Sequence, residues 1–373
     1  MVAGVTVPVP RDADTLGGPA GAAPDGGPAG PAGTLRLADI AAQAGVSEAT
    51  VSRVLNGRAG VAAATRHKVL AALDVLGYER PQRLRRKSNG LVGLLIPELT
   101  NPIFPAFAQV IEQALAGHGY TPVLCTQTPG GATEDELVEQ LEARGVTGIV
   151  FLSGLHADAS ADPARYQGLA ARGVPFVLIN GYNEDINAPF VSPDDRAAAT
   201  MAVRHLAELG HRRVGLAVGP TRYVPSRRKA EGFTAALADV LGVEDAEPYI
   251  QRTLFTVEGG AAAAQALLDR GCTGIVCGSD PMALGAIRAA RQRGLRVPED
   301  VSVIGFDDSP LIPFTDPPLT TVRQPVRAMA TAAVGALLEA VGGNPVAHTE
   351  FVFQPELVVR GSTAPAPVVT AGP

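Results

Sequence analysis

The segment AGVSEATVSRVLNG, residues 44–57, contains a short stretch whose apolar and polar positions fall on opposite faces of a helix. Its apolar face is formed by Val51, Val54 and Leu55. A stripe along the opposite face consists of Ala49, Ser52, Arg53 and Asn56. Ser47 stands just before the helix and is a favoured N-cap residue. The segment therefore predicts an amphipathic helix that offers one polar edge to a partner.

A second amphipathic helix precedes it. In LADIAAQA, residues 37–44, the apolar positions follow the i, i+3, i+4, i+7 spacing of one helix face. Gly45 then permits the left-handed backbone of a tight turn. Two helices across a short glycine turn form a helix-turn-helix, whose second helix enters the major groove of DNA.

The side chains of the stripe suit that groove. Arg53 can donate to guanine O6 and N7, Ala49 can meet a thymine methyl, and Glu48 can accept from cytosine N4. Small polar side chains such as Ser52 and Asn56 can hold phosphates. The predicted DNA-binding residues are Glu48, Ala49, Thr50, Ser52, Arg53 and Asn56. The alternative is an ordinary surface helix pair with a polar face.

Charge is segregated along the chain. Residues 34–90 hold ten Lys or Arg against four Asp or Glu, a local charge of +6, although the whole chain carries −6. A basic segment on an acidic protein is typical of a nucleic-acid contact. A solvated surface cluster is the simpler alternative.

The rest of the chain predicts a different architecture. Apolar runs such as GLVGLLIP (90–97), GIVFLS (148–153) and GIVCGS (274–279) alternate with amphipathic helices, which indicates parallel sheets buried on both faces. The pattern restarts after residues 190–192, so we expect two α/β halves in tandem with a cleft between them. The predicted organisation is a disordered tail (1–33), a helix-turn-helix domain (34–80), a basic linker (81–90), a two-lobed domain (91–362) and a second disordered tail (363–373).

Several functional classes find no support. No apolar run is long enough for a membrane helix and the N-terminus has no signal-peptide pattern, so a cytoplasmic protein is expected. Three cysteines without CxxC indicate neither disulfides nor a zinc site, and no metal or cofactor is predicted. The motifs GxGxxG, GxxxxGK[ST], HExxH and GxSxG are absent, which argues against an enzyme.

The segment AGVSEATVSRVLNG, followed by VAAATRHKVLAALDVLGYERP, resembles the DNA-binding headpiece of the lactose and galactose repressor family. The similarity continues through PELTNPIF, LAELGHRRVGLAVGP, GSDPMALGAIRA and VPEDVSVIGFDDSP. It implies a small all-α helix-turn-helix headpiece followed by a two-lobed α/β domain of the periplasmic-binding-protein type (type I) with parallel sheets.

The resemblance also implies a function. Members are dimeric regulators that bind palindromic operator DNA and sense a small effector, so this chain is expected to be a homodimeric repressor associated with the nucleoid. A sugar-binding protein without a DNA-directed function remains the alternative. In members of the repressor family the linker pushes a leucine into the minor groove, and the resemblance makes Leu84, amid basic residues, the candidate here. Leu84 could equally be an ordinary linker residue.

Five residues match effector-binding positions of the family: Phe104, Lys229, Phe255, Ser279 and Asp307. The phenylalanines could instead be core aromatics, and Ser279 or Asp307 could cap a helix or turn. Lys229 stands where the family usually has arginine, and lysine does not reproduce a bidentate fork, so the identity of the effector does not carry over beyond a sugar or related metabolite. Asp280 is expected to cap the following helix.

Overall fold

The computed structural model describes residues 36–56, 58, 60–77, 88–127, 130–344 and 348–367. The chain divides between Arg86 and Lys87, inside the predicted linker, into an N-terminal and a C-terminal compact unit. Leu84 and the predicted N-terminal tail lie outside the described residues.

The described N-terminal unit consists of three helices, α1 (Leu37–Ala44), α2 (Glu48–Leu55) and α3 (Ala63–Val75). Gly45, with a φ of 63°, ends α1, and the Ser47 side chain caps α2 by accepting from the Thr50 N–H. A small core joins the helices and includes Ile40, Val51, Val54, Val69 and Leu73. The predicted helix-turn-helix is confirmed, because its turn glycine, its cap and its apolar faces all occupy the expected places.

The C-terminal unit holds two six-stranded sheets in its described part. The first has the order β11-β5-β4-β3-β1-β2 and is parallel throughout. Its strands are β1 (Leu91–Ile96), β2 (Thr121–Thr126), β3 (Gly148–Leu152), β4 (Phe176–Ile179), β5 (Phe190–Pro193) and β11 (Glu350–Phe353). The second has the order β12-β10-β9-β8-β6-β7. Its strands are β6 (Val214–Val218), β7 (Ile250–Arg252), β8 (Gly274–Cys277), β9 (Ser302–Asp307), β10 (Thr320–Arg323) and β12 (Glu356–Val358).

Helices cover both faces of each sheet, as strands buried on two sides require. The first lobe uses α4 (Ile103–Gly117), α5 (Glu134–Ala143), α6 (Ala164–Ala171) and α11 (Val326–Val341). The second lobe uses α7 (Asp195–Glu208), α8 (Val224–Leu241), α9 (Val257–Asp269) and α10 (Asp280–Gln292). The predicted two-lobed α/β fold is confirmed, and the one antiparallel pair among the described strands joins β10 to the edge strand β12.

The two lobes are not simple tandem halves. The chain passes to the second lobe after β5, returns to the first after β10 to form α11 and β11, and crosses again before β12. Helix α11 places Met329, Val334 and Leu337 against the first-lobe core, on the face that α4 also covers. Three chain segments therefore connect the lobes, an arrangement that permits one lobe to rotate against the other while both stay attached.

The second tail was predicted to begin at residue 363, which is too early in the chain. Residues 363–367 are described, and the first of them are hydrogen-bonded to the second lobe. Thr363 Oγ1 lies 3.0 Å from His205 Nε2, and the Ala364 N–H donates to Ser302 Oγ at 3.0 Å. The Pro- and Ala-rich composition suggested a loose end, but backbone groups can bind a surface without any apolar side chain.

Within the described ranges, no helix has both the length and the hydrophobicity needed to cross a bilayer. The same residues contain no group of three or more His, Cys, Asp and Glu side chains arranged to hold a metal ion.

Close packing of α9 on α10 depends on glycine. A Cβ at Gly285 would lie 2.0 Å from the Val257 carbonyl oxygen, which is rigid backbone. We expect Gly285→Ala to lower the free energy of unfolding by about 2 kcal/mol or more, because the helices must separate. Urea unfolding of the full chain measures this change.

Gly335, exposed on α11, provides the matched control, because a Cβ there meets no atom within 4 Å. Gly335→Ala is expected to raise the free energy of unfolding by about 0.5–1 kcal/mol through helix propensity. Equal losses in the two variants would contradict the packing explanation.

Candidate nucleic-acid interface and ligand cleft

The solvent-facing edge of α2 carries the residues predicted to contact DNA. Ala49, Arg53 and Asn56 are exposed and Ser52 is half-buried, so the four form one continuous stripe. Glu48 is exposed at the start of the helix. Since the opposite face of α2 is buried in the core, the stripe is held on a rigid support.

Two hydrogen bonds orient side chains of the predicted set. Thr50 Oγ1 lies 2.9 Å from Ser47 Oγ, so its hydroxyl is engaged at the N-cap and lies apart from the stripe. Asn56 Nδ2 donates to Ser52 Oγ at 3.2 Å, which orients two of the small polar side chains that can hold phosphates.

A cleft of about 280 Å³ lies between the two lobes, at the carboxyl ends of the strands. This volume is close to the lower end of the roughly 300–1,000 Å³ that small-molecule sites occupy. All five residues predicted from the family positions line it: Phe104, Lys229, Phe255, Ser279 and Asp307. Open α/β sheets bind ligands at this edge.

The two phenylalanines line this space from different lobes. Phe104 is in the first turn of α4 and packs partly on the first-lobe core, while Phe255 packs partly on the second-lobe core. The Phe255 ring lies on the backbone after β6, where a Cβ at Gly219 would be 2.0 Å from it. Each aromatic therefore belongs partly to a core and partly to the cleft wall.

Lys229 is buried on α8 and already has a partner. Its Nζ lies 2.5 Å from Asp195 Oδ1 and 3.8 Å from the centre of the Phe306 ring. Burial raises the pKa of Asp195, and the neighbouring ammonium of Lys229 opposes the rise. The lysine is thus neutralised by a carboxylate that also lines the cleft.

Asp307 ends β9 with a φ of 116°, an unusual backbone for a residue other than glycine. Gln324 Nε2 donates to Asp307 Oδ1 at 2.6 Å. Burial, with the nearby carboxylate of Asp280, raises the pKa of Asp307 well above its ordinary value. A carboxyl group held in this way can accept a hydrogen bond from a ligand or, when it is protonated, donate one to it.

The expectation that Asp280 caps α10 is wrong. Ser279 is the N-cap, and its Oγ accepts from the Met282 N–H at 3.4 Å. Asp280 instead accepts from the Ser309 N–H and the Thr321 hydroxyl, both at 2.7 Å. Burial raises the pKa of Asp280 to about 6. Its carboxylate therefore ties the loop after β9 to β10, behind the cleft wall.

Other cleft residues were not identified from the sequence. Ser153 and Asn180 follow β3 and β4, and Asn180 Nδ2 donates to Ser153 Oγ at 3.0 Å. Asn180 Oδ1 and Gln324 Oε1 are buried without a hydrogen-bond partner in the described structure. The position of Ser153 and Asn180 directly after parallel strands is a signal that could have revealed them. Asp195 gave no such signal, because SPDDR reads as an ordinary helix start.

At the rim of the cleft the lobes touch. Arg222 Nε of the second lobe lies 3.0 Å from Asp158 Oδ2 of the first, and the Ala159 N–H donates to the Arg222 carbonyl at 2.8 Å. Elsewhere Arg228 forms a two-pronged ion pair with Glu350 on β11 at 2.5 and 2.9 Å. These contacts depend on the relative arrangement of the two lobes, and a rotation of one lobe against the other would change them.

Family models match both parts of the chain. Residues 36–81 match the bacterial regulatory proteins of the lacI family, and residues 203–363 match a periplasmic binding protein-like domain. The HTH-type transcriptional regulator in the aml 5′ region of Streptomyces limosus is 73% identical over 362 residues, which cover 96% of this chain and 98% of the relative.

Solved structures agree with this match. The transcriptional regulator CelR in complex with cellobiose has a TM-score of 0.66 and 33% identity, covering 88% of this chain and 100% of CelR. The lac repressor dimer bound to operator and the anti-inducer ONPF has a TM-score of 0.64 and 28% identity, covering 88% of this chain and 99% of the repressor. The helix-turn-helix, the two-lobed cleft domain and a relative of this similarity together place the chain in the LacI family of bacterial transcriptional regulators.

Proposed function

We propose that the protein is a repressor that binds a palindromic operator as a homodimer and reads it with α2. Arg53, Ala49 and Glu48 contact base edges, while Ser52 and Asn56 position the helix on phosphates. The observation that carries this proposal is the exposed stripe of α2 opposite a fully buried face. Thr50 contributes through the N-cap, and Leu84 remains the predicted minor-groove wedge.

The effector of the proposed repressor is a small hydroxylated molecule, a sugar or a related metabolite, bound in the cleft. Rings of Phe104, Phe255 and Tyr223 offer flat apolar surfaces to its C–H faces. The unpartnered oxygens of Asn180 and Gln324 require donors, which hydroxyl groups supply. The likeness to a regulator in complex with cellobiose supports this class of ligand.

A homodimer is supported by exposed apolar side chains on the second lobe. Leu311 and Phe314, in the loop after β9, are 72% and 83% exposed. Exposed aromatic and aliphatic side chains close together are typical of association surfaces. A second copy that covered this loop would produce the twofold symmetry that a palindromic operator requires. Sedimentation of the purified chain tests the dimer directly.

The proposed coupling runs through cleft closure. An effector that binds both lobes favours the arrangement in which they touch, and lobe rotation changes the spacing of two headpieces in a dimer. Recognition helices must lie roughly 34 Å apart to read two half-sites, so a changed spacing weakens both contacts together.

The rim contact provides a test of closure. We expect Arg222→Ala to raise the dissociation constant of the effector about twofold to fivefold, because the closed arrangement loses an ion pair between the lobes. Isothermal titration calorimetry with a sugar that the wild-type chain binds measures the change. Arg204→Ala is the matched control, since Arg204 pairs with Asp239 within the second lobe and is similarly exposed. A loss of affinity in Arg204→Ala as large as in Arg222→Ala would contradict the closure model.

The function itself is tested by footprinting the full chain on fragments of the genome that encodes it. We expect two protected half-sites related by a twofold axis, with binding that weakens steeply as salt rises. A reporter under such a site should be repressed, and one neutral sugar should change the occupancy. A chain that binds every duplex equally at low salt would refute the proposal.

A further inference from the structure

The basic side chains of the cleft are paired before any ligand enters. Among the described residues that line it, two carry a positive charge, Lys229 and Arg222. Lys229 is paired with Asp195 at 2.5 Å, and Arg222 with Asp158 at 3.0 Å. Both cations therefore have carboxylate partners within the protein, and neither is left for an anionic ligand.

Acidic side chains outnumber basic ones in the cleft. Glu98, Asp195 and Asp307 line it together with Lys229 and Arg222, although the raised pKa of Asp307 favours its protonated form. A phosphate or carboxylate placed here would meet acidic groups without an unpaired cation to offset them. In a partly buried site that repulsion is weakly screened.

Backbone donors do not replace the missing cation. Four helices, α4, α7, α8 and α10, begin at residues that line the cleft, and a helix N-terminus is an ordinary site for an anion because its first N–H groups are unpaired. Helix α7 begins with the acidic Asp195, and the Asp194 side chain already accepts from the Ala197 N–H. Here prolines, which have no N–H, stand in the first turns of α4, α8 and α10: Pro105, Pro225 and Pro281. The side chains of Asn101 and Ser279 accept further N–H groups of α4 and α10.

The cleft offers acceptors instead. Asn180 Oδ1 and Gln324 Oε1 are buried without a partner in the described structure and lie in residues of the cleft wall. An ionised phosphate or carboxylate brings acceptors but no proton to donate, whereas every hydroxyl can donate one. Each orphaned oxygen therefore favours a hydroxyl over an anionic group.

We propose that the effector is uncharged, and that Asp195 excludes phosphorylated and carboxylated counterparts by occupying Lys229. This inference rests on the proposed effector cleft and adds the charge class of its ligand. Asp195 acts as a specificity-determining residue through the lysine that it holds. Replacing its carboxylate with an amide keeps a hydrogen-bond acceptor for Lys229 Nζ but releases one positive charge into the cleft.

The test measures ligand binding by the purified full chain with three neutral and anionic pairs: glucose and glucose 6-phosphate, ribose and ribose 5-phosphate, cellobiose and cellobionate. Inorganic phosphate serves as a bare anion. We expect the wild-type chain to bind no anionic member as tightly as its neutral counterpart. Asp195→Asn should gain roughly tenfold or more in affinity for inorganic phosphate and for the anionic sugars, since hydrogen bonds to an unpaired charge are strong.

Two further variants assign any gain to Lys229. Glu231→Gln removes the same charge from the exposed face of α8, where Glu231 pairs with Arg196, and should leave anion binding unchanged. In Asp195→Asn/Lys229→Met both members of the pair are neutral, and the gain should disappear. This double variant also shows whether the lobe folds without the pair.

Three results would overturn the inference: tight binding of an anionic sugar by the wild-type chain, no gain in Asp195→Asn, or an equal gain in Glu231→Gln. Footprinting on operator DNA is measured separately, so a failure of this inference leaves the repressor proposal standing. Absence of any sequence-specific footprint would instead remove the proposed function.

Discussion

Replacing Arg53 with alanine is expected to lower the affinity of the full chain for its operator by about tenfold to a hundredfold and to relax base preference at the contacted position. A two-pronged contact from arginine to guanine contributes roughly 1–3 kcal/mol of discrimination. Arg53 is exposed on the stripe, beside buried Val54, so its removal should not disturb the headpiece core. Footprinting with single-base operator variants measures both effects.

Lys68→Ala is the matched control for this experiment. Lys68 is exposed on α3 of the same unit, so its removal subtracts one positive charge without altering α2. Such a loss should weaken binding to all duplexes by a similar factor and reduce the salt dependence slightly. If Arg53→Ala behaved in the same way, Arg53 would be a phosphate contact and the assignment to base reading would be wrong.

Replacing Lys229 with methionine is expected to cost about 3–5 kcal/mol in the free energy of unfolding. The change leaves the carboxylate of Asp195, which is 2% exposed, without the ammonium that neutralises it. Burial already raises the pKa of Asp195, and loss of Lys229 removes the main opposing influence. The folded variant will then bind a proton that the unfolded chain has released.

The wild-type carboxyl group already has a pKa above the ordinary 3.8, so the extra destabilisation of the variant should begin to grow only above that raised pKa. It should then increase with pH and be smallest at lower pH, where Asp195 is protonated in both folded proteins. Urea unfolding at several pH values measures this dependence. Arg227→Met is the matched control, because Arg227 is exposed on the same helix. It should change the free energy of unfolding by only about 0.5 kcal/mol. A Lys229→Met penalty that is independent of pH would show that Asp195 is not the cause.

Much of the fold was predictable from local patterns. Gly45 and Ser47 mark the turn and the helix start of the headpiece, and the apolar faces of α1 and α2 have helical spacing. Strands such as β3 and β8 are short apolar runs bounded by turns. Such signals are local, because a cap, a turn or a buried face constrains residues that are close in the chain.

Long-range pairings were not predictable in the same way. The return of α11 and β11 to the first lobe depends on which core the apolar face of α11 fits, and helical periodicity reports only that the face is apolar. The hydrogen bonds of Thr363 and Ala364 to the second lobe join residues far apart in the chain. Composition suggested a loose tail there and carried no information about its partners.

By itself the sequence determined the headpiece, the polar stripe of α2 and the two-lobed α/β body, and its resemblance to the family indicated five positions that line the cleft. Those features follow from periodicity and from motifs that lie together along the chain. Only the tertiary structure decided that Asp195 neutralises Lys229, that Asp280 braces the wall and that Asn180 and Gln324 present unpartnered oxygens. Hydrogen bonds and ion pairs depend on distances of a few ångströms between side chains from different elements, and folding alone sets those distances.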